Sequence, residues 1–477
     1  MFFGRGKELE SLSRLWKKRV ASFVTCRGRR RIGKSRLIEE FAARSDCRFI
    51  EIAGLAPRPR MTNADQLVNF AGQLAAQSDL PNSISPVSWS EAFTYLNAAV
   101  RDGERTVVLL DEISWMGRYD PDFAGMLKNA WDMLLKRHDR LVLVVCGSVS
   151  TWINCNILGS SSFAGRISLN ITLEELPLVE CVRFWDRKTA RLDVREILDV
   201  LSVTGGVPKY LEEIDPSASS DENIRRMCFL STGALVEEFD QIFSEIFEDS
   251  ATTKKAILRA LSAGALTGSE IAAKLSIDRN GHLSRHLKEL ESAGFVASDG
   301  GLNPETGRSA KIELYRIRDN YARFYLHHME PRIAAIKSDS FEFESLDALA
   351  GWQTILGLQF EALVVNHYKE LLPMLNPGRS LILSAAPYRK RGRGADDGVQ
   401  IDLLMQMRNA LEIVEVKRSA HIDEAVEAEV ERKIARVPIR GRKSIRTALV
   451  YDGELSPSVR ENGYFDVIIS AKEWLGL

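Results

Sequence analysis

The chain has 477 residues, enough for about three domains at ~150 residues each. Hydrophobic residues make up 45% and charged residues 27%, which excludes disordered, collagen-like and disulfide-scaffold classes. With 64 Lys and Arg against 65 Asp and Glu, the net charge of -1 excludes a chain-wide electrostatic sponge for nucleic acid. The six cysteines (Cys26, Cys47, Cys146, Cys155, Cys181, Cys228) form no C-x-x-C pair. Their spacing therefore supports neither a zinc site nor a disulfide framework, and reduced thiols in a cytoplasmic protein are expected. The N-terminus lacks the apolar core of a signal peptide. The longest apolar runs, near Val107–Leu110 and Leu141–Cys146, fall short of the ~20 residues of a membrane span, so no membrane partner is expected.

From the N-terminus, short β-branched runs alternate with amphipathic segments. Ala21–Arg27, Arg48–Ala53, Thr106–Leu110 and Arg140–Cys146 read as buried strands. Lys34–Arg44, Ala64–Gln77, Trp89–Arg101 and Phe123–Arg137 read as helices. Such alternation predicts an α/β domain with a largely parallel sheet over residues 1–245. Between the first strand and first helix lies Gly28-Arg29-Arg30-Arg31-Ile32-Gly33-Lys34-Ser35, which fits G-x-x-x-x-G-K-[ST] in its strand–loop–helix context. Glycines let the backbone amides turn inward around phosphate oxygens, and the helix directs its N-terminus at the same anion. Lys34 would neutralise the β- and γ-phosphates and Ser35 would ligate Mg²⁺. The strand at Thr106–Leu110 runs into Asp111-Glu112, at the strand end where open α/β sheets bind ligands. Asp111 is expected in the Mg²⁺ shell and Glu112 as the residue that polarises the attacking water. The next strand ends in Gly147-Ser148, and Ser148 is a candidate γ-phosphate or water contact, with a plain turn residue as the alternative.

These motifs bring a resemblance with them. Phe3-Gly4-Arg5-Gly6-Lys7-Glu8-Leu9, GRRRIGKS, VVLLDEISWM, CGSVSTW, Phe163-Ala164-Gly165-Arg166 with the following LEELP, and Gly205-Gly206-Val207-Pro208-Lys209-Tyr210-Leu211 together resemble archaeal-type ATPases of the AAA+/STAND branch of P-loop NTPases. The resemblance implies ATP as the ligand, Glu112 as catalytic base, and Arg166 as a γ-phosphate arginine acting within or between chains. A surface salt bridge is the other role open to Arg166.

Residues 246–335 carry three short helical patterns and a strand pair. Ser269–Leu275 and Asn280–Ser292, followed by Gly294, resemble a winged helix-turn-helix. Ile271, Leu275, Leu283, Leu287 and Leu290 have helical spacing for a small core. Arg279, Asn280, His282, Ser284, Arg285 and Lys288 are candidate DNA contacts on the second helix. Residues 252–320 hold 11 Lys/Arg against 8 Asp/Glu. Packing of this module on the ATPase domain as a lid stays open as the alternative to DNA binding.

Residues 336–350 are polar and acidic and read as a linker to a last domain at 351–477. There, strands at Val399–Met407 and Ala410–Lys417 flank the compact turn Arg408-Asn409. A hairpin centred on that turn sets Asp402 opposite Glu415, roughly 4.5–5.5 Å apart at Cβ. Opposed like charges are destabilising unless a cation lies between them, and a divalent metal fits that need. Lys417, two residues past Glu415, points to the same face. The acid on one strand followed by Glu-x-Lys on the next resembles the PD-(D/E)xK nuclease core, and Glu361 in the preceding helix resembles its extra helical acid. Gln400-Ile401-Asp402 stands where that core has Pro-Asp. Basic runs at residues 389–393 and 432–446 are candidate phosphate contacts.

The sequence thus predicts a P-loop NTPase α/β sheet, then a winged helix-turn-helix, then an α/β restriction-endonuclease-like domain. ATP and Mg²⁺ are the expected cofactors and DNA the expected partner, with a homo-oligomer or a partner protein left open.

Overall fold

A computed structural model of the chain describes residues 2–477 except 148–149, 186–192, 248–249, 301–302, 305–307, 309–312, 391–397 and 440–442. The chain divides into two compact units: residues 1–176 with 242–251, and residues 177–241 with 252–477.

The first unit is built on five parallel strands: β1 (Ser22–Gly28), β2 (Arg48–Ala53), β3 (Thr106–Asp111), β4 (Leu141–Gly147) and β5 (Ile167–Leu173), in the order β2-β3-β4-β1-β5. Period-two alternation puts Phe23, Val108, Leu110, Leu143 and Val145 into one buried cluster and Val24, Val107, Leu109, Val142 and Val144 into another. Both faces are covered, as a parallel sheet requires. Helix α1 (Lys34–Arg44) backs one cluster. Helices α2 (Asn63–Ala76), α3 (Trp89–Ala99) and α4 (Phe123–Met133) back the other, where Trp89 and Phe123 meet edge to face with ring centroids 4.7 Å apart.

In the second unit, α5 (Val194–Thr204) precedes a winged-helix module. Its helices are α6 (Ala251–Leu261), α7 (Gly268–Lys274) and α8 (Gly281–Ser292). Its antiparallel sheet, ordered β6-β8-β7, comprises β6 (Leu266–Thr267), β7 (Val296–Asp299) and β8 (Leu314–Ile317). Thr267 and Glu270 form a reciprocal capping box on α7, and Gly294 turns the chain out of α8 at φ 83°. After α9 (Asn320–Phe324), the long α10 (Trp352–Leu375) packs on a mixed sheet ordered β13-β12-β11-β10-β9. Its strands are β9 (Ile382–Lys390), β10 (Val399–Met407), β11 (Ala410–Ile422), β12 (Ser444–Leu455) and β13 (Val467–Ser470), with α11 (Ala425–Arg436) between β11 and β12.

Packing groups the chain differently from the expected ATPase domain at 1–245: residues 177–241 cluster with the second unit. The cause is a buried polar node on α5. Arg418, at the β11 position after Lys417, reaches Asp199 at 2.6 Å and Asp452 at 3.1 Å, and its side chain is only 4% exposed. Gln359 of α10 donates to the Ser202 carbonyl at 2.9 Å and accepts from Arg323 at 3.0 Å. The expected linker at 336–350 is also packed down. Phe341 and Phe343 lie 5.4 and 5.0 Å from Phe229, and the Leu346 amide donates to Asp221.

Removing one partner of a buried pair leaves the others charged and unsatisfied. Arg418→Ala is therefore expected to lower urea-unfolding stability by about 3 kcal/mol, read by far-ultraviolet circular dichroism. A loss within ~0.5 kcal/mol would show that the node carries no weight.

Candidate functional sites

In the first unit the loop from Gly28 to Ser35 turns at the end of β1. Gly28 (φ 155°) lies against β5, and a Cβ there would meet the Leu173 carbonyl at 2.5 Å. Arg31 (φ 69°) and Gly33 (φ 84°) take left-handed backbone, which aims the loop into the start of α1. Arg5 clamps the loop from outside, donating to the carbonyls of Ile32 (3.2 Å) and Glu174 (2.7 Å). Arg29 pairs with Glu175 at 3.4 Å and Arg30 with Glu245, while Ile32 is buried. Lys34 folds over the loop, its Nζ 3.2 Å from the carbonyls of Gly28 and Arg29.

Ser35 Oγ donates to Asp111 Oδ2 at 2.6 Å. The sheet order brings the ends of β1 and β3 to one edge, so a hydroxyl and a carboxylate from residues 76 apart in sequence face each other. This pair of hard oxygen donors fits Mg²⁺. Glu112 has φ 47° and ψ 49°, a left-handed conformation that costs a non-glycine residue about 1–3 kcal/mol and clusters at functional sites. Gly54 makes room for it, since a Cβ there would sit 2.9 Å from the Glu112 carbonyl. Ser148 lies outside the described residues. Arg166 forks onto Asp132 of α4, with Nε–Oδ1 2.9 Å and Nη2–Oδ2 2.8 Å. The Arg166 guanidinium holds the Asp132 carboxyl far below the usual carboxylate range. Of the two roles open to Arg166, the structure displays the ion pair.

On the winged helix, His282, Ser284, Arg285 and Lys288 lie on the exposed face of α8. Asn280 caps α8, its Oδ1 accepting from the His282 and Leu283 amides. Arg279 donates to Ser269 at 2.8 Å.

The β10–β11 register pairs Leu403 with Val414, Leu404 with Ile413 and Met405 with Glu412. One step further, this alignment sets Asp402 opposite Glu415, as the turn predicts. Asp402 accepts from the Val416 amide at 2.9 Å, and Lys417 reaches Glu415 at 3.5 Å. Burial pushes both acids up to about 7, with Glu361 adding to the rise at Asp402 and Asp402 to that at Glu415. Glu361 is raised too, by burial first. All three acids are thus within electrostatic reach of one another.

Two residues of α11 complete this cluster: Glu429, which the sequence did not single out, and Lys433, read there only as part of a basic run. Lys433 Nζ lies 2.7 and 2.6 Å from the two oxygens of Glu415, which is 1% exposed. Glu429, one turn earlier, takes Lys417 at 2.7 Å and Lys433 at 3.2 Å. The i,i+4 spacing of Glu429 and Lys433 was the available signal, but it reads equally as an exposed helix pair. The cation expected at the paired acids is here an ammonium. Among the described residues no group of three or more Asp, Glu, His or Cys side chains is gathered closely enough to hold a metal. Asp402, Glu415 and Glu361 supply the oxygen chemistry of a divalent-cation site, but Lys433 stands on Glu415.

Residues 2–214 match the family model of an ATPase domain predominantly from Archaea, and residues 253–299 match a helix-turn-helix domain. An uncharacterized protein of Methanocaldococcus jannaschii, MJECL04, is 25% identical over 408 residues, covering 85% of this chain and 84% of that protein. The Walker-type ATPase PABY2304 of Pyrococcus abyssi aligns with TM-score 0.49 and 17% identity over 68% of this chain and 96% of its own. The ORC2 protein of Aeropyrum pernix, in its ADPNP–ADP complexes, aligns with TM-score 0.42 and 14% identity over 70% and 95%. This chain contains an archaeal-type P-loop ATPase domain and a helix-turn-helix domain, followed by a mixed-sheet domain. No described helix is long and apolar enough to cross a membrane.

The raised acids make a signed pH prediction. Their folded-state values lie above the ordinary value near 4, so the stability they contribute is full below about pH 4 and is lost as pH rises through about 7. Asp402→Asn keeps the acceptor for the Val416 amide and removes one like charge. It is expected to raise the thermal midpoint by a few degrees at pH 8 in EDTA, and by less at pH 5. An equal or opposite shift at the two pH values would contradict the assignment.

Proposed function

We propose that the protein binds and hydrolyses ATP, and that its nucleotide state controls a DNA-binding winged helix and a Mg²⁺-dependent nuclease-like domain. The observation that carries the ATPase part is the Ser35–Asp111 contact beside the folded-back Lys34 and the strained Glu112. Ser35 and Asp111 would hold Mg²⁺, which supplies charge neutralisation at the phosphates. Lys34 would exchange the two loop carbonyls for phosphate oxygens. Glu112 would hold the attacking water and accept its proton, with its carboxylate aimed by the left-handed backbone. Lys34→Ala is expected to abolish nucleotide binding. Glu112→Gln is expected to bind ATP with near wild-type affinity while hydrolysis falls by roughly 10²-fold or more. Competition between ATP and GTP reads the base preference, because the loop contacts phosphates alone.

For the last domain, the desolvated acids Asp402, Glu415 and Glu361 with Lys417 support phosphodiester cleavage. The acids would hold Mg²⁺ once Lys433 leaves Glu415, and the metal supplies an activated water and a charged clamp on the phosphate. Lys417 would position the water or the phosphate oxygen. The Lys433–Glu415 pair specifically favours a second reading, in which this domain binds nucleic acid without cutting and the protein is a nucleotide-gated regulator or scaffold. Incubation of the full chain with plasmid, Mg²⁺ and ATP separates them. Cleavage by wild type, lost in Lys417→Ala with circular dichroism unchanged, is expected. DNA binding without cleavage would leave the scaffold reading.

A further inference from the structure

The second unit contains a cavity of about 200 Å³ between its winged-helix module and its mixed-sheet domain. One wall is the turn after α6 with β7 and β8; the other is a face of α10 with the end of β9 and the start of β10. Three guanidinium groups, Arg316, Arg323 and Arg389, line it against two carboxylates, Asp299 and Glu361. Arg316 is held by Asp299 at 3.0 Å and by Asn366 at 3.0 Å, and Arg323 by the Ile317 carbonyl and Gln359. Those two arginines are fixed charges. Arg389 stands exposed at the rim.

Apart from Ser262 and Gln400, the other side chains of the lining are apolar or the Tyr388 ring. Leu358, Ala362 and Val365 recur along one face of α10, with Leu314 and the Tyr388 ring among the other walls. A surplus of guanidinium beside apolar walls selects a ligand with an anionic group and a planar body. The volume is below the ~300–1,000 Å³ of drug-sized pockets, so it suits one aromatic heterocycle and excludes a stacked pair. Its location narrows the ligand further. Glu361 belongs both to this wall and to the acid set with Asp402 and Glu415, and Gln400, another lining residue, lies 3.4 Å from Glu361.

We propose that this cavity receives one unpaired nucleotide, its base between the α10 face and the winged-helix sheet and its phosphate toward Arg389. The proposal rests on reading the acid set as a phosphodiester site. A frayed or single-stranded end would then lodge its base here while the adjoining backbone crosses Glu361. A free nucleoside monophosphate offers the same chemistry and is the other source. Base burial against aromatic and apolar side chains is sequence-tolerant, so the cavity would read strand structure and not sequence.

The test uses the full chain in EDTA, where cleavage plays no part. Fluorescence anisotropy compares a labelled blunt duplex with the same duplex carrying a three-nucleotide single-stranded extension. Wild type is expected to bind the extended duplex at least fivefold more tightly. Ala265→Trp, which adds bulk at a lining position, is expected to erase that preference while leaving blunt-duplex affinity and the thermal midpoint unchanged, and Arg389→Ala, at an exposed position, is expected to erase it with the thermal midpoint unchanged. Lys417→Ala is expected to keep it, so a protein that binds as proposed but does not cut is told apart from one that does not bind. A thermal shift with dAMP that disappears in Ala265→Trp, without any duplex preference, would assign the cavity to the free nucleotide. Equal affinity for both duplexes with no dAMP shift, or a preference that survives both cavity variants, would overturn the proposal.

Discussion

Asp402 and Glu415 are buried beside one another, with the half-buried Glu361 in electrostatic reach, and burial of like charges is tolerated only where cations accompany them. Much of the second unit is arranged around that requirement. Helix α11 supplies Lys433 to Glu415, and β11 supplies Lys417, itself shared with Glu429. The next residue, Arg418, turns the other way and neutralises Asp199 and Asp452, which ties the strand to α5. Two residues before Glu361, Gln359 bonds the same helix α5 through the Ser202 carbonyl. The elements that carry the acids are thus held by a second, fully polar node next to them. A single strand alternation decides which node each side chain joins: Glu415 and Lys417 on one face, Arg418 on the other.

The two sites differ in how they are made ready for a ligand. At the loop of the first unit, the phosphate position is prepared by backbone: left-handed turns at Arg31 and Gly33, a glycine packed on β5, and Lys34 resting on carbonyls it can exchange. Strain at Glu112 is held in place by the close approach of Gly54. At the acid set, preparation is by side-chain charge, and Lys433 already satisfies Glu415. An incoming cation there must compete with a bonded ammonium, whereas at Ser35 and Asp111 it must replace only a hydroxyl–carboxylate bond.

What the sequence made legible follows from contact range. Strands β2 and β10 and helix α1 have the bounds that their apolar patterns suggest, because buried strands and capped helices are written locally. The Asp402–Glu415 alignment was readable because a two-residue turn fixes register for the whole hairpin. Lys433, Glu429 and Arg418 were not readable as site or node residues. Each is an ordinary charged residue until a contact spanning tens or hundreds of positions gives it a partner. Strand β5 was passed over because Ile167–Leu173 interleaves Ser, Asn and Thr at a sheet edge, and Thr25 meets Asn170 there by a hydrogen bond in place of apolar packing. The cap at Asn280 was not readable for a local reason: a cap and a base contact call for the same exposed side chain.

The division of the chain has a consequence for how the protein is made. Residues 242–251 return to the first unit after the polypeptide has already contributed 177–241 to the second. During synthesis the parallel sheet can form once β5 has emerged, yet Arg30 lacks Glu245 until some seventy residues later. The intervening stretch must meanwhile wait for α10 and β11, which supply the partners of Ser202 and Asp199 and leave the ribosome more than a hundred residues later. Each unit is therefore finished by a segment that arrives after the other has begun, and no single cut in the chain separates them.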